Sequence, residues 1–472
     1  MTPPTRTNRT HWAALPVLLA GSFVVVLDFF IVNVALPSIA ADLDAGASSL
    51  EWVVAAYGLT FAAFLITAGR LGDELGRRRV FVVGLALFTL ASTACGLAPS
   101  PTTLVLARAL QGVAGAIVMP QVLSIIGVTY RDGDYVKALS AYGVALGLSA
   151  VGGQVIGGAL VQTDVAGLGW RACFLINVPI CLAAIALTPA LVRECRAPSR
   201  ARIDLLGAAT LALALVAVLL PLIEGRQHGW PAWTWLSLAI APLLLAGFVA
   251  RQARLARRGG SPLVDLRLFR ERAFSAGLLA QLLLASAQAS FFVYLALYLQ
   301  QGRGLDPLEA GLAFSILAFA YVAVSGPAPA LTERFGRSLV AAGGISLTLG
   351  LGSFAGVVGE IGNGGSIAVL VPSLLLVGAG IGLCLTPLTS TVLSCIDPAR
   401  SGAASGVLST TQQVGYALGV AVTGVIFFGA GRAPAQGFEL ASVQLTAVAA
   451  ALVLMTGMLP RRVTPQVAAP AG

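Results

Sequence analysis

Long apolar runs separated by short polar connections extend along almost the whole chain of 472 residues. A run of about 20 apolar residues is long enough to cross a hydrocarbon core of roughly 30 Å as an α-helix. Fourteen such runs are found, at approximately 14–39, 51–69, 80–98, 103–127, 138–162, 173–192, 205–223, 234–250, 274–299, 309–330, 338–358, 367–390, 403–428 and 438–459. The pattern predicts an all-α integral membrane protein with fourteen transmembrane helices.

The composition supports this class. Hydrophobic residues make up 57% of the chain and charged residues 10%. Soluble globular domains carry about a quarter charged residues, so lipid rather than water is the expected surrounding of most of this chain.

The basic residues predict the orientation, because the cytoplasmic loops of membrane proteins carry an excess of Lys and Arg. Of the 29 lysines and arginines, 24 fall on the side of the N-terminus, four on the opposite side and Arg108 within a span. We therefore expect both termini in the cytoplasm and the protein in the plasma membrane. The net charge of +9 then faces membrane lipids rather than nucleic acid, since no basic stretch contains interleaved aromatic residues.

The two halves of the chain are related. The segment 71–77 after the second span returns at an offset of 260 as segment 331–337, and Gly115 and Pro120 resemble Gly382 and Pro387. Internal repeats of this kind are common in transporters. The predicted organisation is a cytoplasmic tail (1–13), a six-helix bundle (14–192), two linker helices (193–251), a basic interfacial loop (252–273), a second six-helix bundle (274–460) and a cytoplasmic tail (461–472).

Two charged residues, Asp28 and Arg108, lie deep within predicted spans. A charge at that depth costs roughly 2.5–3.5 kcal/mol on insertion scales, and such residues usually belong to an ion or substrate pathway. A carboxylate in a low-dielectric site can gain or lose a proton, whereas arginine stays charged. The alternative is structural: Asp28 in a local hydrogen-bond network and Arg108 as a tether to backbone carbonyls.

The connection after the second span is rich in glycine and charge, and we predict that it is a gating loop. Glycines allow a tight turn, and an aspartate among arginines can form a charge cluster that breaks when helices move. The residues of this predicted gating loop are Gly69, Arg70, Gly72, Asp73, Gly76, Arg77 and Arg78.

This loop resembles the signature loop of the major facilitator superfamily. Three further segments, 27–37, 106–112 and 170–179, are similar to motifs of its fourteen-span drug:proton antiporter family. The resemblance implies two six-helix bundles with two inserted linker helices, alternating access, and a proton gradient as the energy source without a cofactor. It also implies a role in transport for Asp28 and in proton coupling for Arg108.

The fifth span carries a related glycine motif with one departure. The family has a Gly-Pro pair, two residues and then Gly-Gly, whereas this chain has Gly153, Gln154, Gly157 and Gly158. Glycines at four-residue spacing let helices approach closely. Replacement of the proline by Gln154 removes an expected helix kink.

In the family that this chain resembles, members that expel dicationic dyes tend to carry an additional acid in the second-half spans. The second half of this chain contains no deeply placed charged residue, so the resemblance implies neutral or weakly ionised lipophilic substrates rather than bulky dications. Substrate selection in such cavities depends on shape and apolar contact. Candidate cavity residues are Asn33, Gln111, Gln288, Phe292, Tyr294 and Tyr321. Aromatic residues in these spans can equally serve packing, and neutral polar residues can serve helix association.

The predicted function is proton-coupled efflux of small lipophilic compounds such as antibiotics, by a monomer. A facilitator or importer of a small organic metabolite is the alternative. An enzyme is disfavoured, because the longest hydrophilic stretch, 251–272, contains no nucleophile with a base. The six cysteines lie singly and the two histidines lie at opposite membrane faces, so no metal site is expected.

Overall fold

The computed structural model describes residues 7–130, 132–195, 204–393, 396, 401–429 and 433–459, and these contain helices and no β-strand. The α-helices are α1 Thr7–Leu43, α2 Ala47–Leu75, α3 Arg77–Gly96, α4 Pro101–Thr129, α5 Asp132–Thr163, α6 Ala172–Leu175, α7 Asn177–Leu191, α8 Leu205–Glu224, α9 Ala232–Arg257, α10 Arg272–Leu297, α11 Pro307–Ser325, α12 Ala328–Phe335, α13 Arg337–Ile361, α14 Val371–Leu393, α15 Ser401–Phe427 and α16 Pro434–Thr456. Short 3-10 helices lie at Val165–Gly167, Gly169–Arg171, Leu266–Arg270 and Ile367–Leu370, and a π-helical turn at Tyr298–Gly302.

Thirteen of the described helical segments are long and apolar enough to cross a membrane. This confirms a multi-pass, all-helical membrane protein. The remaining predicted span, 403–428, lies in α15, which is long enough but is not among the thirteen. Thr410, Thr411, Gln412 and Gln413 lie in this helix and lower its hydropathy.

Predicted span 309–330 is wrong at its end. The helix α11 ends at Ser325, and the short helix α12 starts at Ala328. Gly326 and Pro327 lie between them, and proline has no amide hydrogen with which to continue a helical ladder.

The described residues form two compact units. The first contains the described residues of 1–213, 259–263 and 306–311, and the second contains those of 214–258, 264–305 and 312–472. In the first unit α2 packs along α4, α1 along α5 and α3 along α4. In the second unit α13 packs along α14 and α16, and α10 packs along α15.

Glycines set the closest helix approaches within each unit. A Cβ atom on Gly112 of α4 would lie 2.3 Å from the backbone oxygen of Tyr57 in α2. In the second unit, a Cβ atom on Gly378 of α14 would lie 2.1 Å from the backbone oxygen of Leu317 in α11. Within each unit, therefore, a glycine allows two neighbouring helices to approach closely: α4 and α2 in the first unit, and α14 and α11 in the second.

We expect Gly112→Ala to destabilise the protein by about 1–3 kcal/mol, the usual cost of overpacking, because the added methyl meets backbone that cannot rotate away. Gly127→Ala is the matched control in the same helix, since a Cβ atom there meets nothing within 4 Å. Thermal unfolding of the purified variants in detergent measures both effects. Equal stability of the two variants would contradict the close approach of α2 and α4.

Candidate functional site

The two predicted intramembrane charges meet. The guanidinium Nη1 of Arg108 on α4 donates to Oδ2 of Asp28 on α1, and both side chains have 0% exposure. Burial of one charge without the other would be costly, so the pair compensates itself within the helix bundle. The sequence placed both residues inside spans, and the tertiary structure places them in direct contact.

Two amide side chains complete the shell of the Asp28 carboxylate. Gln111 Nε2 and Asn177 Nδ2 each donate to Oδ1 of Asp28 at 2.8 Å. The same two nitrogen atoms donate to Ser92 Oγ at 3.0 Å, and this hydroxyl donates to the backbone oxygen of Phe174 at 2.8 Å. We call Asp28, Arg108, Gln111, Asn177 and Ser92 the buried polar network.

Arg108 also binds backbone and an aromatic ring. Its Nε donates to the backbone oxygen of Val53 at 3.0 Å, and its guanidinium carbon lies 4.4 Å from the centre of the Tyr57 ring. Cation–π contacts of this kind favour a fixed guanidinium position. The Arg108 Nη2 nitrogen is buried and has no hydrogen-bond partner among the described residues. Arg108 is therefore both a tether to a carbonyl and the partner of a charge.

The loop before α7 brings Asn177 to this site. Trp170 Nε1 and Arg171 Nη1 both donate to Oδ2 of Asp42, at 3.0 and 2.6 Å, which ties the start of the sixth span to the end of α1. The short helix α6 ends at Leu175, and Asn177 is the first residue of α7. This tie leaves Asn177 beside Asp28.

Sequence reasoning missed part of this site. Asn177 lies in segment 170–179, which resembles a family motif, but no role was predicted for this residue. Ser92 carried no signal at all. Glu51 near the start of α2 is a further buried acid, with 2% exposure, and its burial was not predicted from the sequence.

The predicted gating loop is mostly helical, and the prediction of a loop was wrong. Residues 69–75 continue α2, and α3 starts at Arg77. Gly76 alone separates the two helices, with φ 105°, a backbone conformation that favours glycine. One residue of this kind is enough to reverse the chain, so a longer loop is unnecessary.

The charged residues of this segment bind neighbouring helices within the first unit. Arg77 Nη2 lies 2.8 Å from Asp73 Oδ1, and Arg77 Nη1 donates to the backbone oxygen of Ser124 at 3.1 Å. Arg70 donates to the backbone oxygens of Ser261, at 2.7 Å, and Pro262. The predicted glycines lie close to α4: Gly69 faces Pro120, and Gly72 faces the Gln121 side chain. These contacts connect α2, α3, α4 and segment 259–263.

Glu194, which the sequence analysis did not single out, caps α3. Its carboxylate accepts from the backbone N–H groups of Arg78 at 3.0 Å and Arg79 at 3.3 Å. The Arg78 guanidinium donates to the backbone oxygen of Val192 at 3.3 Å. An anion at a helix N-terminus is favourable because the unpaired N–H groups and the helix dipole both attract it. The adjacent thiol of Cys195 is partly buried, and burial raises its pKa although Arg77 opposes the shift.

We expect Glu194→Gln to weaken this cap by about 0.5–1 kcal/mol, because the amide keeps an acceptor but loses the charge. Alkylation of Cys195, followed by mass spectrometry of its peptide, should become faster as residues 194–195 separate from α3. Glu74→Gln is the control, since Glu74 is exposed at the end of α2. Unchanged alkylation of Cys195 in the Glu194 variant would contradict this role.

The glycine motif of the fifth span packs against α1 in the first unit. A Cβ atom on Gly153 would lie 3.1 Å from the backbone nitrogen of Ile31, and one on Gly157 would lie 3.0 Å from its backbone oxygen. Gly158 lies against the backbone of Pro307. At Gln154 the helix α5 continues, and the side-chain amide is buried without a hydrogen-bond partner among the described residues.

The remaining cavity candidates lie in different settings. Asn33 is buried on α1, and Gln111 belongs to the buried polar network. In the second unit Gln288 accepts from the Tyr416 hydroxyl at 3.4 Å, which in turn accepts from Gln412 Nε2 at 3.1 Å. Among the candidate aromatic residues, the Tyr294 hydroxyl donates to the backbone oxygen of Val420 at 2.7 Å. The ring centres of Phe292 and Phe314 lie 5.6 Å apart, and Tyr321 on α11 is partly exposed.

Within the described residues no group of three or more His, Cys, Asp or Glu side chains is arranged to hold a metal ion. A model of the Major Facilitator Superfamily matches residues 18–420. The chain belongs to the major facilitator superfamily. It is therefore a multi-pass membrane transporter of this superfamily.

The names of similar proteins refer to transport, export or resistance. It is 39% identical to the probable actinorhodin transporter of Streptomyces coelicolor over 428 residues, which covers 90% of this chain and 74% of the relative. It is 35% identical to the cephamycin export protein of Amycolatopsis lactamdurans over 469 residues, covering 96% and 94%. A tetracenomycin C resistance and export protein of Streptomyces glaucescens is 33% identical, covering 90% and 77%.

Solved structures agree in fold. A bacterial homologue of the human lysosomal transporter Spinster matches with a TM-score of 0.70 at 16% identity, covering 97% of this chain and 100% of that chain. An auto-inhibited peptide transporter of the POT family matches with a TM-score of 0.70 at 14% identity, covering 97% and 99%. At these identities the likeness shows the major facilitator fold alone.

Proposed function

We propose that this major facilitator protein exports small lipophilic compounds, antibiotics among them, in exchange for protons by alternating access. The observation that carries the proton coupling is the fully buried contact between Asp28 and Arg108. Intramembrane ionisable pairs of this kind mark proton relays and substrate pathways in pumps and transporters.

The chemistry of the pair suits coupling. Asp28 can exist with or without a proton, whereas Arg108 keeps its positive charge. Protonation of Asp28 removes the negative partner of Arg108, so the two protonation states differ in the electrostatic energy of the first unit. A transporter can be driven when two conformations differ in their affinity for a proton.

The names of the relatives support export as the direction. Three of the relatives described above are named for transport, export or resistance toward antibiotic-type compounds. Export of a related class of compound is therefore the function best supported for this chain, ahead of a facilitator or importer of a metabolite.

The second unit favours neutral or weakly ionised substrates. Its buried polar side chains, among the described residues, are Ser, Thr and Gln only, without Asp, Glu, Lys or Arg. The neutral hydrogen bonds from Gln412 through Tyr416 to Gln288 involve amide and hydroxyl groups, which can pair with the hydroxyl or carbonyl groups of a neutral compound. A dication would find no buried counter-charge among these residues.

The proposal includes the setting of the transporter. It acts as a monomer in the plasma membrane with both termini in the cytoplasm and with its basic surface toward membrane lipids. It has no enzymatic activity and no role in nucleic-acid binding. It requires the proton gradient and no cofactor.

Transport into sealed inside-out vesicles tests the proposal, with a panel of lipophilic antibiotics and with an imposed proton gradient, acid inside. We expect accumulation that collapses when a protonophore is added. Movement that ignores the gradient would favour the facilitator, with Gln154 in place of the family's proline as the first residue to test. Gradient-driven movement in the opposite direction would favour the importer.

A further inference from the structure

The Asp28 carboxylate is surrounded by hydrogen-bond donors. Arg108 donates to Oδ2, and the amides of Gln111 and Asn177 donate to Oδ1. A proton bound to Asp28 turns one of these oxygens into a donor, which then faces another donor. A buried donor without an acceptor is costly, so one surrounding group must change when Asp28 is protonated.

Gln111 is held in its present orientation. Its Oε1 accepts from Arg108 Nη1 at 2.7 Å and from the Cys95 thiol at 3.4 Å. Rotation of this amide would exchange a charge-assisted hydrogen bond for a contact between two donors. Gln111 therefore keeps donating to Asp28 in both protonation states.

Asn177 is different. Its Oδ1 is buried and has no hydrogen-bond partner among the described residues, while its Nδ2 makes both of the amide's hydrogen bonds. Rotation of this amide by about 180° gives up the two hydrogen bonds that Nδ2 donates and places Oδ1 where it can accept from protonated Asp28 and from the Ser92 hydroxyl. Asparagine is a suitable partner for both states of an acid because it offers a donor on one side and an acceptor on the other.

We infer that Asn177 is the positioning residue that responds to the proton on Asp28: its carboxamide donates to the carboxylate and rotates to accept from the protonated acid. This inference rests on the proposed proton coupling at Asp28. One proton passes from water to Oδ1 of Asp28 and returns to water on release, and no other covalent bond changes.

The rotation has a consequence for the sixth span. Asn177 Nδ2 also donates to Ser92 Oγ, and Ser92 donates to the backbone oxygen of Phe174. Once Oδ1 of Asn177 faces Ser92, the hydroxyl can donate to Asn177 and release Phe174. Phe174 lies in α6, just before the break that separates α6 from α7. The proton on α1 is thus linked to a carbonyl at a helix break.

Other titratable groups surround Asp28 from the helices that pack on α1. Besides Arg108 on α4, the side chains that interact electrostatically with Asp28 are Tyr57 on α2, Cys95 on α3, Cys173 on α6 and Cys181 on α7. Tyrosine and cysteine are neutral at physiological pH at their ordinary pKa values, and arginine is charged. Asp28 is therefore the group of this cluster that we propose to change charge during transport.

Labelling of asparagine with ¹³C and ¹⁵N offers a direct test, because the chain contains only four asparagines, Asn8, Asn33, Asn177 and Asn363. Side-chain resonances of the full-length protein in lipid nanodiscs are recorded against pH, and the Asn177→Leu variant assigns the Asn177 signals. Protonation of Asp28 is followed independently as the infrared carboxyl band that Asp28→Asn removes.

We expect the Asn177 ¹³Cγ and Nδ2 signals to shift with the same midpoint as the Asp28 band, and to stop titrating in Asp28→Asn. Asn33 on α1 is the matched internal control. Like Asn177, it is buried and its Oδ1 has no hydrogen-bond partner among the described residues, but it lies outside the buried polar network. Static Asn177 signals beside a titrating Asp28 band would overturn the inference and leave the proposed function intact. Absence of the Asp28 band over the whole pH range would overturn both.

Transport supplies a second readout. Asn177→Leu should reduce gradient-driven export about tenfold or more, the expected effect of losing a hydrogen bond to a charged group, while substrate exchange without a gradient continues. Asn363→Leu, the same change at an exposed position just after α13, should leave the ratio of driven export to exchange unchanged. Equal losses of export and exchange in Asn177→Leu would indicate a structural role only and would contradict the inference.

Discussion

Asp28→Asn is expected to abolish proton-driven export while the protein still inserts and folds. Asparagine has nearly the shape of aspartate, so the packing of α1 is preserved, but it has no group that titrates. The variant also resembles the neutral state of the acid, in which Arg108 lacks its partner. Export of an antibiotic from vesicles with an imposed gradient measures the loss, and exchange of labelled for unlabelled compound without a gradient measures what remains.

Asp44→Asn is the control for this experiment. Asp44 follows α1 directly and is exposed, so the same change of charge and shape there leaves the buried site untouched. Normal driven export by a well-expressed Asp28→Asn protein would refute the proton coupling proposed for Asp28. Loss of exchange together with driven export would place Asp28 in substrate binding.

Arg108→Leu is expected to destabilise the protein by about 3–5 kcal/mol, the usual cost of breaking a buried ion pair on one side. The Asp28 carboxylate would remain without its charged partner, and the hydrogen bonds to Val53 and Gln111 would be lost as well. Thermal or denaturant unfolding of the purified protein in detergent measures the effect.

A double-mutant cycle isolates the contribution of the pair. The variant with Arg108→Leu and Asp28→Leu together should be more stable than Arg108→Leu alone, because no unpaired charge then remains in the bundle. Arg108→Lys serves as the comparison that keeps a positive charge but loses the planar fork that binds two acceptors. Additive effects of the two leucine substitutions would show that the pair is not coupled energetically.

Much of the fold was predictable because the membrane restricts the choices. Backbone polar groups in hydrocarbon must be paired within the protein, and helices achieve this locally. The apolar runs therefore predicted where the helices lie, closely for 205–223, observed as Leu205–Glu224. The helices α1, α2 and α9 each extend six or seven residues beyond one predicted end. The prediction failed where backbone geometry decided the outcome, at the break after Ser325 and at the turn that needs only Gly76.

The candidate site was predictable only in part. Buried charges stand out in an apolar sequence, so Asp28 and Arg108 were found without a structure. Neutral polar residues do not stand out, because they are common wherever helices associate in membranes. For this reason Ser92 and Asn177 were not distinguished from other polar residues, and Gln111 was assigned to a cavity although it binds Asp28.

The sequence alone determined the class of protein, the superfamily and the presence of one acid and one arginine within spans. These properties depend on local hydropathy and on short motifs, which the order of residues contains directly. Only the tertiary structure decided that Asp28 meets an arginine 80 residues away, and that Asn177, 149 residues away, completes its shell. Such contacts depend on which helix faces turn toward each other, and this is determined by the packing of many small residues at once.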